Sequence, residues 1–291
     1  MIMNSILAIT DFSTQGEQAL ERAALVAVER RAQLRIMYFV EVPNLNLPDP
    51  FERLAQRARQ LARRHGIIVD AVSRTGGTVD HVVEEGTCAD LLVIDQRSRR
   101  NLKTFWQGTI VDQLMRRCRC PVLVVKREAS RPYGHALVAV DFSTESKELV
   151  RYACAFVESE LELFHSQTTL TETEEFRQHA QSWLSRLTEP FDTRKNRVTS
   201  VVGHGDPARQ TAIQQEGIGA DLVFVCKIKH STLVHFLSGS FAQRLLSLAT
   251  SDVLVMPHGH RASSRAEAKR RIGAEPKENR VSFPVVRRRA L

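Results

Sequence analysis

Short apolar runs alternate along this chain with segments whose apolar residues recur every three or four positions. Five runs in the first half fit strands: Ser5–Thr10, Leu34–Val40, Ile67–Val72, Leu91–Ile94 and Pro121–Val125. Five more fit strands in the second half: Ala136–Val140, Leu161–His165, Arg197–Val202, Leu222–Val225 and Asp252–Met256. Between them Leu20, Ala23, Ala24, Ala27 and Val28 fall at i, i+3, i+4, i+7 and i+8, which predicts one apolar helix face. Leu149, Tyr152, Ala153, Phe156 and Val157 have comparable spacing. Phe51, Leu54, Ala55, Ala58, Leu61, Ala62 and His65 form a further stripe, backed by Arg53, Arg57, Arg59, Arg63 and Arg64, which read as a solvated face. Nearly all-apolar strands alternating with helices predict parallel sheets covered on both faces. Right-handed crossovers then give doubly wound α/β domains, with a ligand crevice at the carboxyl ends of the strands.

The pattern occurs twice. Leu7-Ala-Ile-Thr-Asp11-Phe-Ser-Thr14 returns as Leu137-Val-Ala-Val-Asp141-Phe-Ser-Thr144, at an offset of 130. Ala89–Asp95 returns as Ala220–Cys226, Gly108-Thr109 as Gly239-Ser240, and Val122–Val125 as Val253–Met256, each at an offset of 131. Four blocks in order with one residue of drift predict a duplicated domain, about 1–128 and 133–257, joined at Arg131-Pro-Tyr-Gly134.

Charge divides the chain differently. The net charge is +8, but ten Lys/Arg stand against three Asp/Glu from His258 to Leu291, whereas 31 stand against 30 before it. Residues 258–291 therefore read as a basic, mostly disordered tail, with helix propensity from Ser264 to Ile272. Any nucleic-acid or acidic partner would be engaged there and not on the near-neutral body. Five cysteines without framework spacing suggest reduced thiols and a cytoplasmic setting, and no run is long enough to span a membrane.

Asp11 and Asp141 each end the first strand of a copy, on the crevice edge. A carboxylate there suits a ribose or an adenine edge, or it opens the next helix, as the capping-box spacing Thr14-x-x-Glu17 suggests for the first copy. Gly108-Thr109 and Gly239-Ser240 precede the helix between strands four and five. Backbone N–H groups at such a turn can hold an anion, or the pairs are plain helix starts.

These blocks, with Cys120-Pro-Val-Leu-Val-Val125 and Gly203-His-Gly205-Asp-Pro207, make both halves resemble the universal stress protein family over nearly all of residues 5–257. The resemblance implies two tandem five-stranded sheets of order 3-2-1-4-5, of the adenine-nucleotide alpha-hydrolase type. It also implies that the apolar fifth strands pair about a pseudo-two-fold axis, an intramolecular counterpart of the family's dimers; further association into homo-oligomers is open.

The family's nucleotide-binding branch carries Gly-x2-Gly-x9-Gly-Ser/Thr. Counting back from Gly108-Thr109 puts Asp95 and Ser98 at the first two glycines, and from Gly239-Ser240 it puts Cys226 and Lys229 there. Those glycines let phosphate reach the backbone without a Cβ in the way. An Asp95 carboxylate about 5 Å from a phosphate charge would cost about 3 kcal/mol at an effective dielectric near 20, some two decades of affinity. Arg97, Arg99, Arg100 and Lys103 in one loop, and Lys227, Lys229 and His230 in the other, could still hold an anion by another mode.

No P-loop, metalloprotease or nucleophile-elbow motif is present. Cys118-Arg-Cys120 lacks a second pair for zinc. Cys120 reads as core, and Cys118 among arginines as a conceivable thiolate. The expectation is a non-enzymatic cytoplasmic stress-response protein without cofactor. The alternative is an ATP-binding member with slow hydrolysis, contacting nucleotide through Asp11, Gly108, Thr109, Asp141, Gly239 and Ser240. A nucleic-acid accessory role through the tail is the third reading.

Overall fold

The computed structural model describes residues 3–40, 49–73, 78–96, 110–167, 174–189, 196–226, 241–260 and 280–283. Two compact units emerge. One spans Ile2–Pro132 and takes in the C-terminal strand; the other spans Tyr133–His260.

The first unit runs β1 (Ser5–Thr10), α1 (Thr14–Arg30), β2 (Gln33–Tyr38), α2 (Pro50–His65), β3 (Val69–Val72), α3 (Val79–Thr87), β4 (Leu91–Asp95), α4 (Ile110–Arg117) and β5 (Val122–Val125). Its strands lie in the order β3-β2-β1-β4-β5, all parallel. The second runs β6 (His135–Ala139), α5 (Thr144–Phe156), β7 (Glu160–Gln167), α6 (Glu174–Thr188), β8 (Arg197–His204), α7 (Pro207–Gly217), β9 (Leu222–Cys226), α8 (Phe241–Leu248) and β10 (Asp252–Met256). Its order, β8-β7-β6-β9-β10, is the same topology repeated. In both, the order reverses beside the first strand, so the carboxyl ends of β1 and β4, and of β6 and β9, adjoin one another.

The central strands are buried on both faces, as their apolar runs predict. α1 buries Leu20, Ala23, Ala24 and Ala27, but Val28 is 43% exposed and Val26 is buried in its stead. The face is centred on Ala23 and Ala27, which turns Val28 past its edge. α5 buries Leu149, Tyr152, Ala153 and Phe156, followed by buried Val157. α2 opens on Asp49, whose side chain accepts from the N–H groups of Phe51 and Glu52, and closes on Gly66 at φ 65°. Its arginines are not all a solvated face. α1 and α2 pack side by side, and Arg57 donates to Glu17 at 2.6 Å and Glu21 at 2.7 Å.

The C-terminal segment is also not wholly tail. Arg280–Phe283 forms β11, antiparallel to β3, with Val281 opposite Ala71 and Phe283 opposite Val69. Average composition reads this segment as disordered because charge dominates it. The outer edge of β3 instead offers unpaired N–H and C=O groups to any short run that can extend, and Val-Ser-Phe can. The helix propensity of 264–272 lies outside the described residues.

Candidate functional site

Each unit turns sharply from its first strand into its first helix. After β1, the Asp11 Oδ1 accepts the Ser13 N–H at 2.9 Å and the Thr10 hydroxyl oxygen accepts the Phe12 N–H at 2.9 Å. Phe12 adopts φ 62°, a left-handed backbone uncommon for a bulky residue. Ser13 caps α1 by accepting from the Gly16 N–H, one residue earlier than the predicted box, and Glu17 goes to Arg57 instead. A Cβ on Gly16 would lie 2.8 Å from both Asp11 Oδ1 and Thr10 Oγ1, so the turn closes over a residue without one.

After β6 the same turn is closed by side chains. Ser146 stands where the first copy has Gly16. Its hydroxyl donates to Asp141 Oδ1 at 2.7 Å and accepts the Asp141 N–H at 2.9 Å. The Ser143 N–H, at 3.0 Å, and the Ser143 hydroxyl reach the same oxygen. Burial pushes the Asp141 carboxyl up, but these bonds and nearby His165 outweigh it and hold the group below the usual carboxylate range. Each aspartate thus places one oxygen in its own turn.

The phenylalanine that follows each aspartate sits in an aromatic cluster. Phe12 stacks on Tyr38, ring centroids 4.9 Å apart, with the Arg53 guanidinium 4.5 Å from its centroid. A shallow concavity of about 390 Å³ beside it is lined by Phe12, Glu17, Arg53, Gln56, Arg57 and Gln60. Phe142 packs at 4.5 Å from His165 and 4.8 Å from Trp183, and remains 43% exposed.

The strand ends across the crevice carry the residues aligned with the first motif glycines. Asp95 is the last residue of β4, opposite Val125 of β5, and is 2% exposed. Cys226 is the last residue of β9, opposite Met256, and is 8% exposed. Burial and the carboxylates of Glu145 and Asp141 push its thiol up to about 12, so it stands protonated at neutral pH. Gly108, Thr109, Gly239 and Ser240 lie outside the described residues, as do Ser98, Lys229 and the loop cations Arg97, Arg99, Arg100, Lys103, Lys227 and His230. The structure brings Asp11 to the end of β1 beside the end of β4, and Asp141 with Cys226 to one strand-end crevice.

Other groups were not foreseen. His258 pairs with Glu145 at 3.3 Å and His260 lies 6.1 Å from the Tyr152 ring, so His258-Gly-His260 folds back onto α5 before the tail begins. Asp206 caps α7 and accepts from both terminal guanidinium nitrogens of Arg244 on α8, at 2.7 and 2.8 Å. The Arg244 guanidinium holds its carboxyl below the usual range. An Asp before Pro207 signals the cap; nothing local signals the arginine. Gly203 lies so close to the Phe164 ring that a Cβ there would meet it at 2.5 Å. Cys118 and Cys120 are both buried, Cys118 at 4% exposure, which removes the accessible thiolate. Among the described residues no three His, Cys, Asp or Glu side chains could hold a metal ion, and no helix is long and apolar enough to cross a membrane.

The sequence model of the universal stress protein family matches residues 3–126 and again 132–257. A universal stress protein of Methanocaldococcus jannaschii is 24% identical over 142 residues, which are 43% of this chain and 84% of that protein. Among solved structures, a universal stress protein from Archaeoglobus fulgidus has a TM-score of 0.69 at 16% identity, covering 87% of this chain and 96% of its own. A functionally unknown protein from Pseudomonas aeruginosa has a TM-score of 0.65 at 18% identity, covering 94% and 98%.

Proposed function

The chain belongs to the universal stress protein family, with two domains in tandem, and from that premise we propose that it serves a stress response as a non-enzymatic binding protein whose nucleotide turns have been filled in. The observation that carries this reading is what stands at the ends of β4 and β9. In the nucleotide-binding branch of the family a glycine there lets phosphate reach the backbone. Here a buried carboxylic residue, Asp95, takes one place. A buried thiol beside two carboxylates, Cys226 with Asp141 and Glu145, takes the other. On this reading both put a side chain where the family's glycine leaves room for phosphate, and the second stands next to negative charge.

Asp141 supports the same reading, since three donors from its own turn already converge on one of its oxygens. The protein would then act through surfaces, in a reducing compartment that suits five free cysteines. Calorimetric titration of the full chain with ATP tests the proposal. The expected result is no saturable heat at micromolar ATP. Stoichiometric binding with a sub-micromolar Kd would overturn it in favour of the nucleotide-binding alternative.

A further inference from the structure

The shallow concavity beside Phe12 lies in the first unit and is separate from the strand-end crevice. Neither Asp11 nor Asp95 lines it; its walls are Phe12, Glu17 of α1 and a polar stripe of α2. The stripe follows from helical spacing. Arg53, Gln56, Arg57 and Gln60 stand at i, i+3, i+4 and i+7, on one side of α2. Arg57 fastens that side to α1. Its Nε donates to Glu17 and one terminal nitrogen to Glu21, while the other terminal nitrogen donates to Gln60 Oε1 at 3.3 Å. Arg53 comes one turn earlier and is exposed. Its guanidinium rests on the Phe12 ring, 4.5 Å from the centroid, and Phe12 in turn stacks on Tyr38. Arg57, Arg59 and Arg64 each meet a carboxylate of the chain, whereas among the described residues none meets Arg53. A ring occupies the flat face of a guanidinium and leaves the donors along its edge for an acceptor. Glu17 is neutralised by Arg57, so Arg53 carries the unpaired charge of this wall.

We propose that this concavity binds a small carboxylate with a neighbouring amide, the chemistry of an N-acyl amino acid or of the free end of a peptide. A carboxylate takes the edge nitrogens of Arg53 as a fork. Gln56 and Gln60 continue the same wall, and each carries an amide that both donates and accepts, which suits the amide of the ligand. The Phe12 ring offers apolar surface to the ligand's side chain. A volume of about 390 Å³ is at the small end for ligand pockets, so it suits one or two residues and not a folded partner. Phe12 reaches this wall from a left-handed backbone, φ 62°, a conformation that costs a bulky residue energy and is retained where the side chain has a use. In the second unit Phe142 meets the Trp183 and His179 rings, so the counterpart of this wall is aromatic there.

The test titrates the full chain, isotopically labelled at side-chain nitrogen, with N-acetylleucine and with its uncharged counterpart N-acetylleucinamide. The acid should shift the Arg53 Nε–H signal and the Gln56 and Gln60 amide signals, saturating below about 1 mM, and the amide should bind about tenfold more weakly or less. Arg53→Met keeps the side-chain stem and removes the fork, so affinity for the acid should fall about tenfold; Arg53→Lys should restore only part of it. Arg53 is exposed, so both variants keep the native fold, which unshifted β1 amide signals verify. A pentapeptide ending in leucine separates the two sources: binding as tight as that of the acid assigns the site to peptide ends, weaker binding to the free N-acyl amino acid. Equal binding of acid and amide overturns the proposal. So does undiminished binding of the acid to Arg53→Met, and so does a titration that moves none of these signals.

Discussion

At the scale of single residues, the two copies solve one turn in two ways. Asp11 and Asp141 each accept the N–H of the serine two residues on. In the first copy Gly16 makes room for the aspartate; in the second Ser146 fills that room with a hydroxyl that bonds it. Three donors converge on one oxygen of Asp141, and its acidity is the handle for measuring them. Its pKa is lower in the folded state than in the unfolded one, so its stabilisation is complete above the ordinary carboxylate value and disappears as pH falls through the folded value. Asp141→Asn should therefore be less stable than the native chain to urea at neutral pH. That gap should hold down to about pH 5 and shrink below about pH 4. A gap that stays constant to pH 2 would contradict the account. The aspartates were legible in the sequence because they recur at a fixed offset. The neighbour of Asp141, His165, was not, because the parallel pairing of β6 with β7 brings it in from another strand. Phe12 at φ 62° had no sequence signal either, since nothing in Asp-Phe-Ser marks a left-handed turn.

Among the elements, apolar periodicity located every strand of the repeat and misjudged some ends. β1 and β10 begin and end where their apolar runs do. β7 and β8 continue past theirs, because backbone pairing carries on through Ser166 opposite Gly203 and Gln167 opposite His204 after the apolar residues stop. The arginine face of α2 shows a second limit. Helical spacing gives the side on which Arg57 stands, but only the crossover that lays α1 beside α2 brings Glu17 and Glu21 to it. Arg57→Met leaves those two carboxylates, one turn apart on α1, without their shared cation. The expected loss is about 1 kcal/mol at low salt, read by urea denaturation, and it should shrink in 1 M NaCl. A loss unchanged by salt would mean that Arg57 acts through its packing alone.

For the whole molecule, duplication is what made the fold readable. Each half repeats the other's strand order, so an apolar run ambiguous in one copy is fixed by its counterpart. The C-terminal strand escaped this logic because it has no counterpart and its composition is dominated by arginine. The functional reading depends on the same comparison. On the proposed reading both copies carry a side chain where the family's first motif glycine would stand, an acid in one and a thiol flanked by acids in the other. The most direct measurement is native mass spectrometry of the full chain as isolated from cells, set against its denatured mass. The account predicts equal masses. A native mass raised by one or two adenine nucleotides, lost on denaturation and present in stoichiometric amount, would contradict it.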